Sequence, residues 1–140
     1  MHTKRLRAVA LTIILALSLF PAAAQGTSRK VAITATRNLS MDPRADYLGG
    51  ILQGLLAWDL SRASGIVLVD RASLDRVLAE QELQLSGLAG DPAASARVGQ
   101  LLGADFLVSL DYVILSGEIL VTASSTDVRT GRQSSFVERG

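Results

Sequence analysis

Residues 66–88 read IVLVDRASLDRVLAEQELQLSGL, a strand followed by a short amphipathic helix and a turn. Ile66, Val67, Leu68 and Val69 form an unbroken apolar run ended by Asp70 and Arg71, the pattern of a strand buried on both faces between other elements. Beyond it, Leu74, Val77 and Leu78 share one helical face, while Asp75, Arg76, Glu80 and Glu82 lie mostly elsewhere. Leu85, Ser86, Gly87 and Leu88 end the helix, with Gly87 suited to a positive φ.

Upstream, Val31 to Thr36 alternates as a first strand, and Arg37 to Asp46 is a loop by its Asn, Ser, Asp and Pro content. Tyr47 to Ala63 predicts a helix whose apolar stripe is Leu48, Ile51, Leu52, Leu55, Leu56 and Leu60. Gly49, Gly50 and Gly54 weaken it by up to ~1 kcal/mol each relative to Ala, and their use is expected to be close packing on a sheet. Trp58 is expected in the core or at its rim. Ser64 and Gly65 end this helix.

Downstream, Asp91 and Pro92 are a helix start signal, with Asp as N-cap and Pro at the first helical position. Ala94, Val98, Leu101 and Leu102 line that helix and Gly103 closes it. Three strands follow, Asp105 to Leu115, Glu118 to Val128 and Gln133 to Glu138, separated by Ser116-Gly117 and Thr130-Gly131 turns. The order is β-α-β-α-α-β-β-β. It predicts an α/β (α+β) domain with a single mixed sheet, its first two strands parallel, its last three an antiparallel meander, and its helices packed mainly on one face.

The amino terminus has a different character. Lys4, Arg5 and Arg7 precede an apolar run from Ala8 to Phe20, and Pro21 to Gln25 offers small residues for cleavage. This is the pattern of a signal peptide over residues 1–24, too short in its apolar part for the ~20 residues of a spanning helix. Residues 25–30 form a polar leader and residues 31–140 the domain. No transmembrane segment is expected in the mature chain. Cleavage would leave eleven basic and thirteen acidic residues, a net charge of −2, with no basic cluster for nucleic acid.

The same cleavage removes His2, the one histidine, and the chain has no cysteine. Without imidazole or thiolate, Ser-His-Asp and Cys-His catalysis and the usual zinc sites are excluded. No cysteine stands at the cleavage point to carry a lipid. Gly87, Gly90 and Gly99 match no phosphate-loop pattern. Asp70 and Arg71 sit at a strand end, where sites often lie, but a helix cap and an ion pair account for them. Asp75, Glu80 and Glu82 read as a solvated face, with an Arg76 to Glu80 pair at helical spacing. Accordingly no catalytic, cofactor-binding or metal-ligating residue is nominated, and no cofactor is expected. Tyr112, Asp111 and the Ser/Thr-rich strand from Thr122 to Thr126 suit an exposed strand face open to another protein. Ser134 to Val137 is expected at a sheet edge where a partner strand can add, and Ser135→Pro is expected to abolish such association.

The run VDRASLDRVLAEQELQLSGL, with GQLLGADFLV and DVRTGRQ after it, resembles the curli production assembly/transport component family, CsgG-like, over almost the whole chain beyond residue 30. That resemblance implies a periplasmic α/β domain acting in bacterial envelope export, with other envelope proteins as partners and self-association as an option. Activators of penicillin-binding proteins and the amino-terminal domain of TolB are similar in layout, and imply a regulatory binding module as the alternative. Channel-forming members carry a lipidated cysteine, long barrel-forming hairpins and further helices. This chain has no cysteine, and Ser116-Gly117 leaves no room for such a hairpin. The expectation is therefore a non-enzymatic periplasmic core without the pore.

Overall fold

The computed structural model describes residues 28–40, 42–81 and 91–139. The expected signal peptide, most of the leader, Glu82, and the turn with Gly87 and Gly90 lie outside them. The strands are β1 (Arg29–Asn38), β2 (Ile66–Leu68), β3 (Phe106–Leu115), β4 (Glu118–Asp127) and β5 (Gln133–Arg139). The helices are α1 (Tyr47–Ser61), α2 (Arg71–Glu80) and α3 (Pro92–Leu102), with a 3-10 turn at Pro43–Ala45 before α1.

Local chemistry sets the boundaries. The Asp70 carboxylate accepts the Ser73 amide at 2.9 Å and the Ser73 hydroxyl at 2.6 Å, filling the N-cap of α2. Asp91 does the same for α3, accepting from the amides of Ala93 and Ala94. Gly103, at φ 61°, ends α3 in the left-handed conformation that a side chain would oppose. Ser116 and Gly117 both have positive φ, the twist a two-residue hairpin needs between β3 and β4.

The five strands form one sheet in the order β2-β1-β3-β4-β5. β1 lies parallel to both β2 and β3, and β3, β4 and β5 form the expected antiparallel meander. One rim is tied at Asp105. Its carboxylate and carbonyl accept the amides of Lys30 and Val128, and its own amide donates to the Lys30 carbonyl at 2.7 Å. Further along β1 the register with β3 shifts between Ile33 and Thr36, a bulge that places Thr36 opposite Leu110.

Two findings revise the expected arrangement. The run at Ile66 is neither central nor buried on both faces: β2 is a three-residue edge strand with Val67 45% exposed. A short apolar run looks the same at an edge and at the centre. The strands apolar on both sides are β1 and β3, where Val31, Ala32, Phe106, Leu107 and Val108 are all buried. Second, only α2 and α3 share a face. Leu52, Leu56 and Leu60 of α1 pack on Val31, Phe106, Val108, Leu110, Tyr112 and Val121. Leu74 and Leu78 of α2 and Val98 and Leu102 of α3 pack on Ala32, Leu107 and Val128. Adjacent residues of one strand, such as Phe106 and Leu107, supply opposite cores, so helices are required on both sides of the sheet.

Gly99 shows how tightly α3 sits. A Cβ there would lie 2.3 Å from Val128 Cγ2, a distance that real Cβ atoms essentially never show. Its role is close helix–sheet approach, not phosphate binding.

Candidate protein-interaction surface

With Leu52, Leu56 and Leu60 turned to the sheet, the opposite side of α1 faces solvent. It is apolar. Tyr47, Ile51, Leu55 and Trp58 are 67%, 51%, 38% and 59% exposed and follow one another at helical spacing. Gly50 and Gly54 lie among them, and a Cβ built on either meets nothing within 4 Å. Arg62 stacks on the Trp58 ring at 5.5 Å, covering part of one face of the indole. Trp58 is therefore not in the core, and of the three helical glycines only Gly49 approaches the sheet, 3.6 Å from the Thr36 methyl group. A helix apolar all round is ordinarily buried all round. Here one side has no partner among the described residues, and it gathers four of their exposed large hydrophobic side chains on one helix.

The two sheet edges add a second kind of surface. β5 is an edge strand, as expected for Ser134 to Val137, with Val137 61% exposed. Ser135 does not simply face outward, because its hydroxyl shares a hydrogen bond of 2.9 Å with that of Ser124 on β4. Ser135→Pro would disturb this contact as well as the edge.

The residues expected to form an open strand face divide differently. Tyr112 is 1% exposed, and its hydroxyl donates to the Ala45 carbonyl at 2.8 Å; burial pushes the phenol pKa up. Asp111, on the other side of β3, accepts a two-pronged ion pair from Arg37, both contacts 2.7 Å, and this hydrogen bonding raises the guanidinium pKa. Ser125 and Thr126 are buried. Alternation forbids Asp111 and Tyr112 from sharing a face, and α1 covers the one that Tyr112 occupies.

A cleft of about 320 Å³ opens where β1 bends, lined by Thr36, Arg37, Asp46 and Arg71 among others. Thr36 Oγ1 is buried there without a hydrogen-bond partner among the described residues. The charges around the cleft are already engaged: Arg37 by Asp111, Arg71 by Asp75 and the Thr34 carbonyl, and Asp46 by the Asn38 amide group. Nothing in it pairs a nucleophile with a base. Asp70 and Arg71 have the structural roles expected of them, although the ion pair on α2 joins Arg71 to Asp75 instead of Arg76 to Glu80. Hydrogen bonds from Ser73 hold the Asp70 carboxyl below the usual carboxylate range. Among the described residues no three His, Cys, Asp or Glu side chains gather as metal ligands, and no helix is long and apolar enough to cross a membrane.

The family model for the curli production assembly/transport component CsgG matches residues 24–111, more than half of the chain. The chain belongs to the CsgG family. The match takes in β1, α1, β2, α2, α3 and the first half of β3, so it includes the exposed side of α1 and stops before the meander is complete. No curated protein matches this CsgG-family chain. Among solved structures, the LpoB C-terminal domain from Escherichia coli is similar with a TM-score of 0.73 at 11% identity, covering 99% of this chain and 96% of that one. The same domain from Salmonella enterica gives 0.72 at 11% identity, over 98% and 96%. Lipoprotein GNA1162 from Neisseria meningitidis gives 0.64 at 16% identity, over 79% and 78%. At such identities the likeness is one of fold.

Ile51 and Leu55, expected in one stripe with Leu52, Leu56 and Leu60, lie instead on the exposed side of α1. Tyr47, Ile51, Leu55 and Trp58 recur at the same spacing as the core stripe but point the other way. The signal was an apolar helix with two stripes where one suffices for a single sheet face.

Proposed function

We propose that the chain is a non-enzymatic periplasmic accessory domain, acting through protein–protein contacts in envelope export or biogenesis of the curli-type secretion class. The observation that carries this is the unpartnered apolar side of α1 on a domain of the CsgG family. Such a surface presents anchors of the kind protein interfaces use, with Tyr and Trp among them. Among the described residues no group of catalytic side chains competes with this reading. The basic residues and apolar run before Pro21 support export, which would bring the domain to the periplasm.

A second reading is a regulatory module resembling the activators of penicillin-binding proteins. The similarity to the LpoB C-terminal domain, over nearly the whole of both chains, is what favours it. Crosslinking and mass spectrometry in envelope extracts separate the two. Capture of secretion-channel or amyloid-subunit proteins supports the first, and capture of a peptidoglycan synthase supports the second. Turnover of a small molecule, or ion conductance across a bilayer by the purified chain, would contradict both.

A further inference from the structure

We infer that the exposed side of α1 is a self-complementary surface, and that its occupant is the same helix of a second copy, running antiparallel and crossing at Gly54. The inference rests on the protein-contact reading above and names the partner for its main surface.

A two-fold contact must match a surface with itself, each residue meeting another of the same patch. Gly54 is the natural centre. It lies directly opposite the buried stripe, and the absence of a side chain lets two backbones approach. Four residues to either side lie Gly50 and Trp58, so in the antiparallel pair the indole of one copy is level with the open notch at Gly50 of the other. Eight residues to either side lie Asp46 and Arg62. Each end of the pair therefore carries one carboxylate and one guanidinium, contributed by different copies. A parallel pair would instead set Asp46 beside Asp46 and Trp58 against Trp58, with like charges together at both ends. Charge and bulk both select the antiparallel arrangement. Tyr47, Ile51 and Leu55 then lose their exposure together.

The test uses two features of the composition: Trp58 is the one tryptophan, and there is no cysteine. The full chain and the chain beginning at Gln25 are compared by sedimentation equilibrium and by Trp58 emission over a dilution series. The expected result is a dimer in the shorter chain, with emission moving to longer wavelength as it dissociates. Gly54→Cys should form a disulfide-linked dimer on mild oxidation several-fold faster than Ala79→Cys on the exposed side of α2. Gly54→Leu should melt no lower than the parent, since the position is open, yet weaken association at least tenfold. Arg62→Glu should weaken it similarly, and Asp46→Lys added to Arg62→Glu should restore it. A shorter chain that stays monomeric at every concentration overturns the inference, as do equal oxidation rates for the two cysteine variants. Two further outcomes overturn it in favour of another occupant. Trp58 emission shifted only in the full chain would assign the surface to the amino-terminal apolar run, and emission shifted only by added envelope extract would assign it to a different protein. A monomer that still captures envelope proteins defeats the self-pairing alone and leaves the proposed function standing.

Discussion

At the scale of single residues, two positions carry more than their size implies. At Gly99 an added Cβ would collide with the Val128 side chain just beyond the end of β4. Gly99→Ala is expected to cost about 1–3 kcal/mol through overpacking, read as a lower midpoint in urea at unchanged slope, and Val128→Ala in the same chain should recover part of the loss. Tyr112 is the second. Its phenol is buried and raised in pKa by desolvation, so the folded state holds the proton more tightly than the unfolded chain does. Stability from this source is intact below the ordinary phenol pKa of about 10 and falls as the pH rises past it. Tyr112→Phe should flatten that alkaline decline while costing about 1 kcal/mol at neutral pH, because the Ala45 carbonyl loses its donor. The opposite sign applies to Asp70, whose pKa is lowered: its cap is present above the ordinary carboxylate range and is lost as the pH drops through the depressed value. The Ser73 amide shift should report that titration, and Asp70→Asn should abolish it.

At the scale of elements, much of the fold is legible in the sequence, and the exceptions have a common cause. The caps at Asp70 and Asp91, the stop at Gly103 and the hairpin at Ser116-Gly117 are local events whose chemistry sits within a few residues, so the order β-α-β-α-α-β-β-β follows from reading along the chain. Which neighbour a strand takes is not local. Ile66 to Val69 carries no mark that distinguishes an edge from a centre, and Tyr112 and Asp111 look equally exposed until α1 is laid over one of them. The same limit hid the candidate surface, since choosing the buried side of α1 among two apolar stripes requires knowing where the sheet is. Gly50 and Gly54 now permit a sharp statement. With open space at both, Gly50→Ala and Gly54→Ala should each stabilise the isolated domain by up to ~1 kcal/mol, measured by thermal melting at a concentration where the chain is monomeric. Glycines retained in a solvent-facing helix at that cost make sense where something must come close. On the sheet edge, Val137→Lys tests strand addition more cleanly than a change at Ser135, whose hydroxyl already binds Ser124.

At the scale of the molecule, two cores share one sheet. Leu60 lies in one and Val98 in the other, both fully buried. Because β1 and β3 supply residues to both, the two sides should not melt separately. Leu60→Ala is expected to cost about 2–5 kcal/mol, and Val98→Ala, a smaller truncation, somewhat less. Each should shift a single transition seen alike by Trp58 fluorescence and far-ultraviolet circular dichroism. Two resolved transitions in either variant would show that the sheet does not couple its faces. What the sequence made plain about function was narrow: residues 25–140 hold no imidazole or thiolate to act as base, nucleophile or zinc ligand. The positive part needed three dimensions.

The junction at Asp105 has a mechanical corollary. There the leading ends of β1 and β3 and the trailing end of β4 are riveted by main-chain contacts and a carboxylate, while at the opposite border the Ser116-Gly117 turn joins β3 to β4, the Leu39 amide donates to the Tyr112 carbonyl and the Ser40 hydroxyl accepts the Ile114 amide. A load on the domain should therefore meet ties at both borders, the covalent turn keeping β3 with β4 at one and the Asp105 junction keeping β1 with both of them at the other.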